Sequence, residues 1–200
     1  MSVWNRRSRL DRLATMDPEN RLAQRKALHE VSRITGEFVP DDTQAITPDK
    51  VLDYIFGGKA VLTVKSLKTG KHITYKVAQK VTKAKGPDGK TVKKREDFFF
   101  VSVMTGSDNN TFTYLGVVAR TKGIVKTTTK SSFTDNDPAT KVIQWVINRP
   151  THKDLRVFHD NTCGRCSRRL TVPTSIKSGI GPICEGKIRE EKRAKLKDGR

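Results

Sequence analysis

Three features of the chain predict an α+β fold. Capped helical patterns fill the first third and return near residue 138, apolar positions alternate between residues 60 and 126, and the last quarter is basic and carries all three cysteines. The expected architecture is a set of N-terminal helices, a central antiparallel β-sheet of about four or five strands, and a small C-terminal unit organised by its cysteines. Residues 1–46 read as a basic helical segment and linker, 47–150 as the sheet domain, and 151–200 as the cysteine unit with a basic tail. Two hundred residues suit one sizeable domain or two small ones.

The helices come first. Asp17, Pro18 and Glu19 open one: Asp caps free N–H groups, Pro suits the first turn, and the acid favours the positive end of the dipole. Leu22, Ala23, Leu28, Val31 and Ile34 then recur near helical spacing up to Gly36. A shorter basic helix is expected over residues 5–14. Residues 37–47 hold Pro40, Asp41 and Asp42 and read as a linker. Thr47, Pro48 and Asp49 repeat the start signal, Val51, Leu52, Ile55 and Phe56 supply an apolar face, and Gly57 with Gly58 ends the helix.

The period then changes to that of strands. Residues 60–67 contain β-branched and apolar residues, and a turn follows at 68–71. Ile73, Tyr75 and Val77 alternate with polar neighbours. A second turn, Gly86-Pro87-Asp88-Gly89, is flanked by Lys83, Lys85, Lys90, Lys93, Lys94 and Arg95. Residues 98–104 form the most apolar strand, 106–110 a turn, 111–119 another strand and 123–126 a short one. Neighbours in a strand point to opposite faces, so Phe99 should face away from Phe98 and Phe100. Asp137-Pro138 opens a last helix in this region, with Val142, Trp145 and Val146 on one face, ending before Pro150.

Composition narrows the function classes. Forty Lys and Arg stand against 21 Asp and Glu, a net charge of +19. The excess is spread out: residues 1–34 carry 8 basic and 4 acidic side chains (+4), 35–150 carry 19 and 11 (+8), and 151–200 carry 13 and 6 (+7). Such a surplus calls for a polyanionic partner. A membrane protein is excluded, because the longest near-apolar run, residues 98–104, is far short of the roughly 20 residues a spanning helix needs. An odd cysteine count with one tight pair is no disulfide framework, and residues 1–16 lack the apolar core of a signal peptide. A reducing, cytoplasmic setting is expected.

The sharpest chemical signal is Cys163-Gly-Arg-Cys166, with Cys184 further on and His159 just before. Two residues between thiols let both reach one ion around a tight turn. Cys184 follows Gly179-Ile180-Gly181-Pro182, which places it in the first turn of a helix, where the dipole favours a thiolate. Cys163, Cys166, Cys184 and His159 thus make a candidate closed, tetrahedral Cys3His zinc site, structural rather than catalytic, of zinc-ribbon or treble-clef shape. Asp160, His152 or a water are the alternatives for the fourth position.

From Cys163 to Cys184 the sequence resembles a short zinc-finger-like domain of unknown function common in bacteriophage and actinobacterial proteins. The matching positions are the cysteines, Arg169-Leu170-Thr171, Pro173, Ser175-Ile176 and Gly179-Ile180-Gly181-Pro182. Upstream, Phe99-Phe-Val-Ser-Val-Met-Thr-Gly and Thr113-Tyr-Leu-Gly also resemble phage proteins that end in this finger. The resemblance implies a phage origin and a bound zinc, and no established activity.

The candidate phosphate contacts are Arg165, Arg168, Arg169 and Lys177 around the finger loop, Lys187 and Arg189 on the following helix, and Lys93, Lys94 and Arg95 on the sheet. Sheet aromatics Tyr75, Phe98, Phe99, Phe100, Phe112 and Tyr114 could stack bases if exposed. No P-loop, nucleophile elbow, His-Glu-x-x-His or paired-carboxylate motif is present. The expected function is therefore non-enzymatic nucleic-acid binding, with single-stranded DNA favoured. The alternatives are a module that binds or inhibits a host protein such as a polymerase or nuclease, and, more weakly, a metal-dependent nuclease.

Overall fold

The computed structural model describes residues 42–85, 88, 91–106 and 111–198. The helices expected over residues 5–14 and 17–36 lie outside these, as does nearly all of the turn at 86–89. Six strands form one antiparallel sheet: β1 (Lys59–Ser66), β2 (His72–Lys85), β3 (Thr91–Met104), β4 (Phe112–Ala119), β5 (Val125–Lys126) and β6 (Leu155–His159). Their order is β5-β4-β3-β2-β1-β6. Helix α1 (Val51–Ile55) precedes β1 after a 3-10 turn, and α2 (Pro138–Asn148) precedes β6. Helices α3 (Pro173–Ser178) and α4 (Pro182–Asp198) follow it.

The first five strands overlap the segments where the alternation placed them, but β3 starts at Thr91, seven residues before the expected strand, and β2 runs on to Lys85. β6 is additional, so the sheet has one strand more than expected. Its sequence, Leu155-Arg156-Val157-Phe158-His159, is buried at four of five positions and carries no clean period-two signal. It joins the sheet by pairing antiparallel with β1, from Leu62 opposite His159 to Ser66 opposite Leu155.

One face of the sheet is covered. Ala60, Leu62 and Val64 of β1, Tyr75 and Val77 of β2, Phe99, Val101 and Val103 of β3, and Leu115 and Val118 of β4 are buried there. Ile143 and Val146 of α2 close over them. The Tyr75 hydroxyl donates to the Ala139 carbonyl at 2.8 Å, so this wholly buried phenol keeps a partner. Gln144 clips α2 to the sheet edge: Val125 N–H donates to its Oε1, and its Nε2 donates to the Gly123 carbonyl, both at 2.7 Å. The other face is open around β3, where Phe98 is 50% and Phe100 41% exposed while Phe99 is fully buried.

The stretch read as the end of a linker is built into the fold. Ala45 bridges Phe158, and Ile46 is buried with its N–H on the Val157 carbonyl at 2.8 Å. The backbone N–H and hydroxyl of Thr47 both donate to the Lys177 carbonyl, so this Thr ties the segment to α3 and does not cap its own helix. Sheet and cysteine segment belong to one compact unit, and residue 150 marks no break in packing. Among the described residues no helix is long and apolar enough to cross a membrane.

The three consecutive phenylalanines test the register directly. Phe99→Ala should lower stability by about 3–5 kcal/mol through the cavity it leaves. Phe98→Ala and Phe100→Ala should each cost well under half of that in the same urea titration. Equal costs at all three positions would contradict the two-faced strand.

Candidate metal centre and basic surfaces

The knuckle grows out of the end of β6. Asp160 Oδ1 accepts from the backbone N–H and the hydroxyl of Thr162, at 3.1 and 2.5 Å. Asn161 takes the left-handed conformation at φ 63° and turns the chain back. Thr162 then bridges Arg169, and Cys163 N–H donates to the Arg168 carbonyl at 2.8 Å. Ser167 N–H returns to the Cys163 carbonyl at 2.9 Å. This tight loop presents Cys163, buried, and Cys166, exposed, to one point. Cys184, half-buried in the first turn of α4, completes the group.

The three sulfurs lie within 4.8 Å of one another. Ligands about 2.3 Å from a tetrahedral ion sit about 3.8 Å apart, so small shifts suffice to close on a metal. The site already favours a thiolate at Cys163. Burial opposes the charge, but N–H groups of Gly181, Arg165 and Cys166 directed at the sulfur outweigh it, and the pKa falls below the ordinary thiol value. Gly181 N–H reaches the sulfur at 3.4 Å. Cys184 goes the other way: burial and the neighbouring thiols push it up to about 12. A cation bound among the thiols would draw off the Cys184 proton.

His159 does not join the cysteines. Its Nε2 donates to the Ile176 carbonyl at 2.7 Å and its Nδ1 accepts from Asn161 N–H at 2.9 Å. Both ring nitrogens are spent on backbone, and the residue is 3% exposed. Burial lowers its pKa, which suits a neutral ring holding α3 against the end of β6. The expected Cys3His set is thus a three-cysteine group with a structural histidine beside it. Spacing alone could not separate these roles, because a residue four positions before the knuckle lies near it in either case.

Tyr54 of α1 is the support that the sequence reading missed. Its ring is wholly buried between the sheet and the finger loop, its hydroxyl donates to the Val61 carbonyl at 2.7 Å, and burial raises its pKa well above the usual phenol value. Gly164, inside the knuckle, and Gly179, after α3, both lie against the ring. A Cβ on Gly164 would stand 2.7 Å from the Tyr54 Cδ2, and one on Gly179 still nearer. Gly179 also needs the left-handed φ of 70°.

The basic residues divide. Arg165 is buried and forms a two-pronged pair with Glu191 of α4, at 3.1 and 2.5 Å. It pins the helix to the knuckle, so this guanidinium, expected as a phosphate contact, is engaged within the fold. Arg165 beside it holds the Glu191 carboxyl below its usual range, with Arg95 and Arg120 adding to the effect. Lys192 pairs with Asp53 at 2.6 Å and Ile188 is buried, so the 188, 191 and 192 positions face the body. Arg168, Arg169, Lys177, Lys187 and Arg189 are exposed, the last near Glu185 at 3.8 Å. Lys93, Lys94 and Arg95 are exposed on β3, and Arg95 also donates to Gln79 at 3.2 Å.

Residues 157–189 match the model of a family described as a family of unknown function (DUF6011). The match runs from β6 through the knuckle to the first turns of α4, and so takes in the whole cysteine group. No curated protein and no solved structure matches the chain.

Two substitutions separate ligand from scaffold. Elemental analysis should return one metal ion per chain, and Cys166→Ser should lower that ratio. His159→Ala should leave it near one while costing about 1–3 kcal/mol of stability, because two backbone groups lose their partner. Metal loss in the histidine variant equal to that in the cysteine variant would restore His159 as a ligand. Gly179→Ala should cost on the order of 1–3 kcal/mol in a thermal melt, from strained backbone and the clash with Tyr54.

Proposed function

We propose that the chain is a non-enzymatic nucleic-acid-binding protein, that single-stranded DNA is its favoured ligand, and that the cysteine group holds a structural zinc ion. The observation that carries this reading is the open face of the sheet. Phe98 and Phe100 stand exposed side by side on β3, with the Tyr114 ring 6.4 Å from that of Phe100. Lys76 lies over the Phe112 ring at 5.6 Å on the same face. Every base has a π-face, so rings beside lysines bind a single strand with little regard to sequence. The net charge of +19 supplies the long-range attraction.

Zinc suits three soft thiolates, and its part would be to hold the finger closed against Tyr54. That keeps the exposed Arg168, Arg169 and Lys177 on a rigid support for phosphate contacts. The resemblance of the finger to phage and actinobacterial domains supports a phage source and a host cytoplasm as the place of action.

Fluorescence anisotropy with a single-stranded oligonucleotide tests the reading. Tight binding at ~50 mM salt is expected, and with about five phosphates neutralised log K should fall by about 3.5 per log unit of salt. Combining Phe98→Ala with Phe100→Ala should weaken binding by about 1–3 kcal/mol per stacked base. The absence of binding at low salt would overturn the proposal, and a nuclease-resistant partner captured from host lysate would favour the protein-binding alternative.

A further inference from the structure

β2 and β3 are each 14 residues long, but the rest of the sheet accompanies only part of them. β1 pairs with β2 over residues 72–78, and β4 pairs with β3 over residues 98–104. Beyond an irregularity between Gln79 and Val81, residues 81–85 pair with residues 91–95 and, among the described strands, with nothing else. At about 3.3 Å per residue, this two-stranded ribbon runs about 16 Å past the sheet.

Residues 80–85 and 91–95 contain Lys80, Lys83, Lys85, Lys93, Lys94 and Arg95 and no acid. All six are exposed. Lys83 stands directly opposite Lys93. Facing like charges repel, and an isolated ribbon that buries little apolar surface is marginal in water. These residues weaken the ribbon as a folded element, and a polyanion would offset the cost. The shape narrows the choice of polyanion, since the major groove of a duplex admits a two-stranded ribbon and flanks it with phosphates.

The ribbon also runs directly into the open face, because β3 is one strand from Thr91 through Phe98 and Phe100. We propose that the ligand is a junction between double- and single-stranded nucleic acid, with the ribbon in the groove of the duplex and the Phe98–Phe100 face on the adjoining strand. This rests on the nucleic-acid reading above and names the substrate class.

The test uses the full chain, one salt concentration and three labelled probes: a single strand, a blunt duplex, and a duplex with a single-stranded tail. The tailed duplex should bind at least about tenfold more tightly than either other probe, because the second contact becomes intramolecular. The combined variant Lys80→Ala, Lys83→Ala, Lys85→Ala should melt like the native chain. It should bring the tailed duplex down to single-strand affinity and leave the single strand within about twofold. Equal affinity of the native chain for the tailed duplex and either other probe would overturn the junction, as would equal losses on all three probes in the ribbon variant. Single-strand binding without junction preference would remove this inference alone, whereas binding to no probe would remove the nucleic-acid reading as well.

Discussion

The ring of Tyr54 lies against the backbone of Gly164 and Gly179, and most of the C-terminal arrangement depends on that contact. Gly164 belongs to the knuckle and Gly179 to the loop that leads into α4, so one side chain sets the position of both. The hydrogen bonds around it close the same joint. Gly164 N–H donates to the Gly179 carbonyl, and the Gly164 carbonyl accepts from Lys59 at the start of β1. A flat ring packed on two bare backbones leaves no slack, which is how a small loop-rich segment gains a defined place without a core of its own. The cysteine group is then one fastening of the finger among several, Tyr54 with its glycines being another.

The charges of the chain serve two purposes that composition alone merges. Arg165 and Glu191, and Lys192 and Asp53, fasten α4 across its body-facing side. Arg120 lies over the Phe56 ring and donates to the Phe56 carbonyl at 3.2 Å, and so belongs to the structure too. Among the described residues, exposed basic side chains line the finger rim, the outer side of α4 and the ribbon, and others, such as Lys71, Lys122, Lys130 and Lys141, lie elsewhere on the surface.

The strands and α2 were legible because each carries its own period, and alternation put Phe99 on the face opposite Phe98 and Phe100, which the structure shows to be the buried one. β6 was hidden because Phe158 is buried as well as its neighbours Val157 and His159, which breaks the alternation that marks a half-buried strand. The cysteine group was legible from spacing, since a two-residue gap constrains both thiols locally. The partners that hold it in place were not. Arg165 reaches Glu191 across 26 positions and Tyr54 reaches Gly179 across more than a hundred, and neither pairing leaves a local trace. His159 shows the converse limit: proximity in sequence identified a residue beside the site, but which backbone groups its ring would meet was decided by α3.

The edges of the sheet carry one more consequence. β5 is only two residues long, and β6 is bordered by Ala45 and Ile46, so both outer margins are short or occupied. The ribbon is where bare strand edges extend furthest. There the lysines act as gatekeepers: a second ribbon approaching edge to edge would bring its own row of positive charge against them. The residues that make this arm attractive to polyanions thus also guard the protein against aggregating with itself through its most exposed backbone.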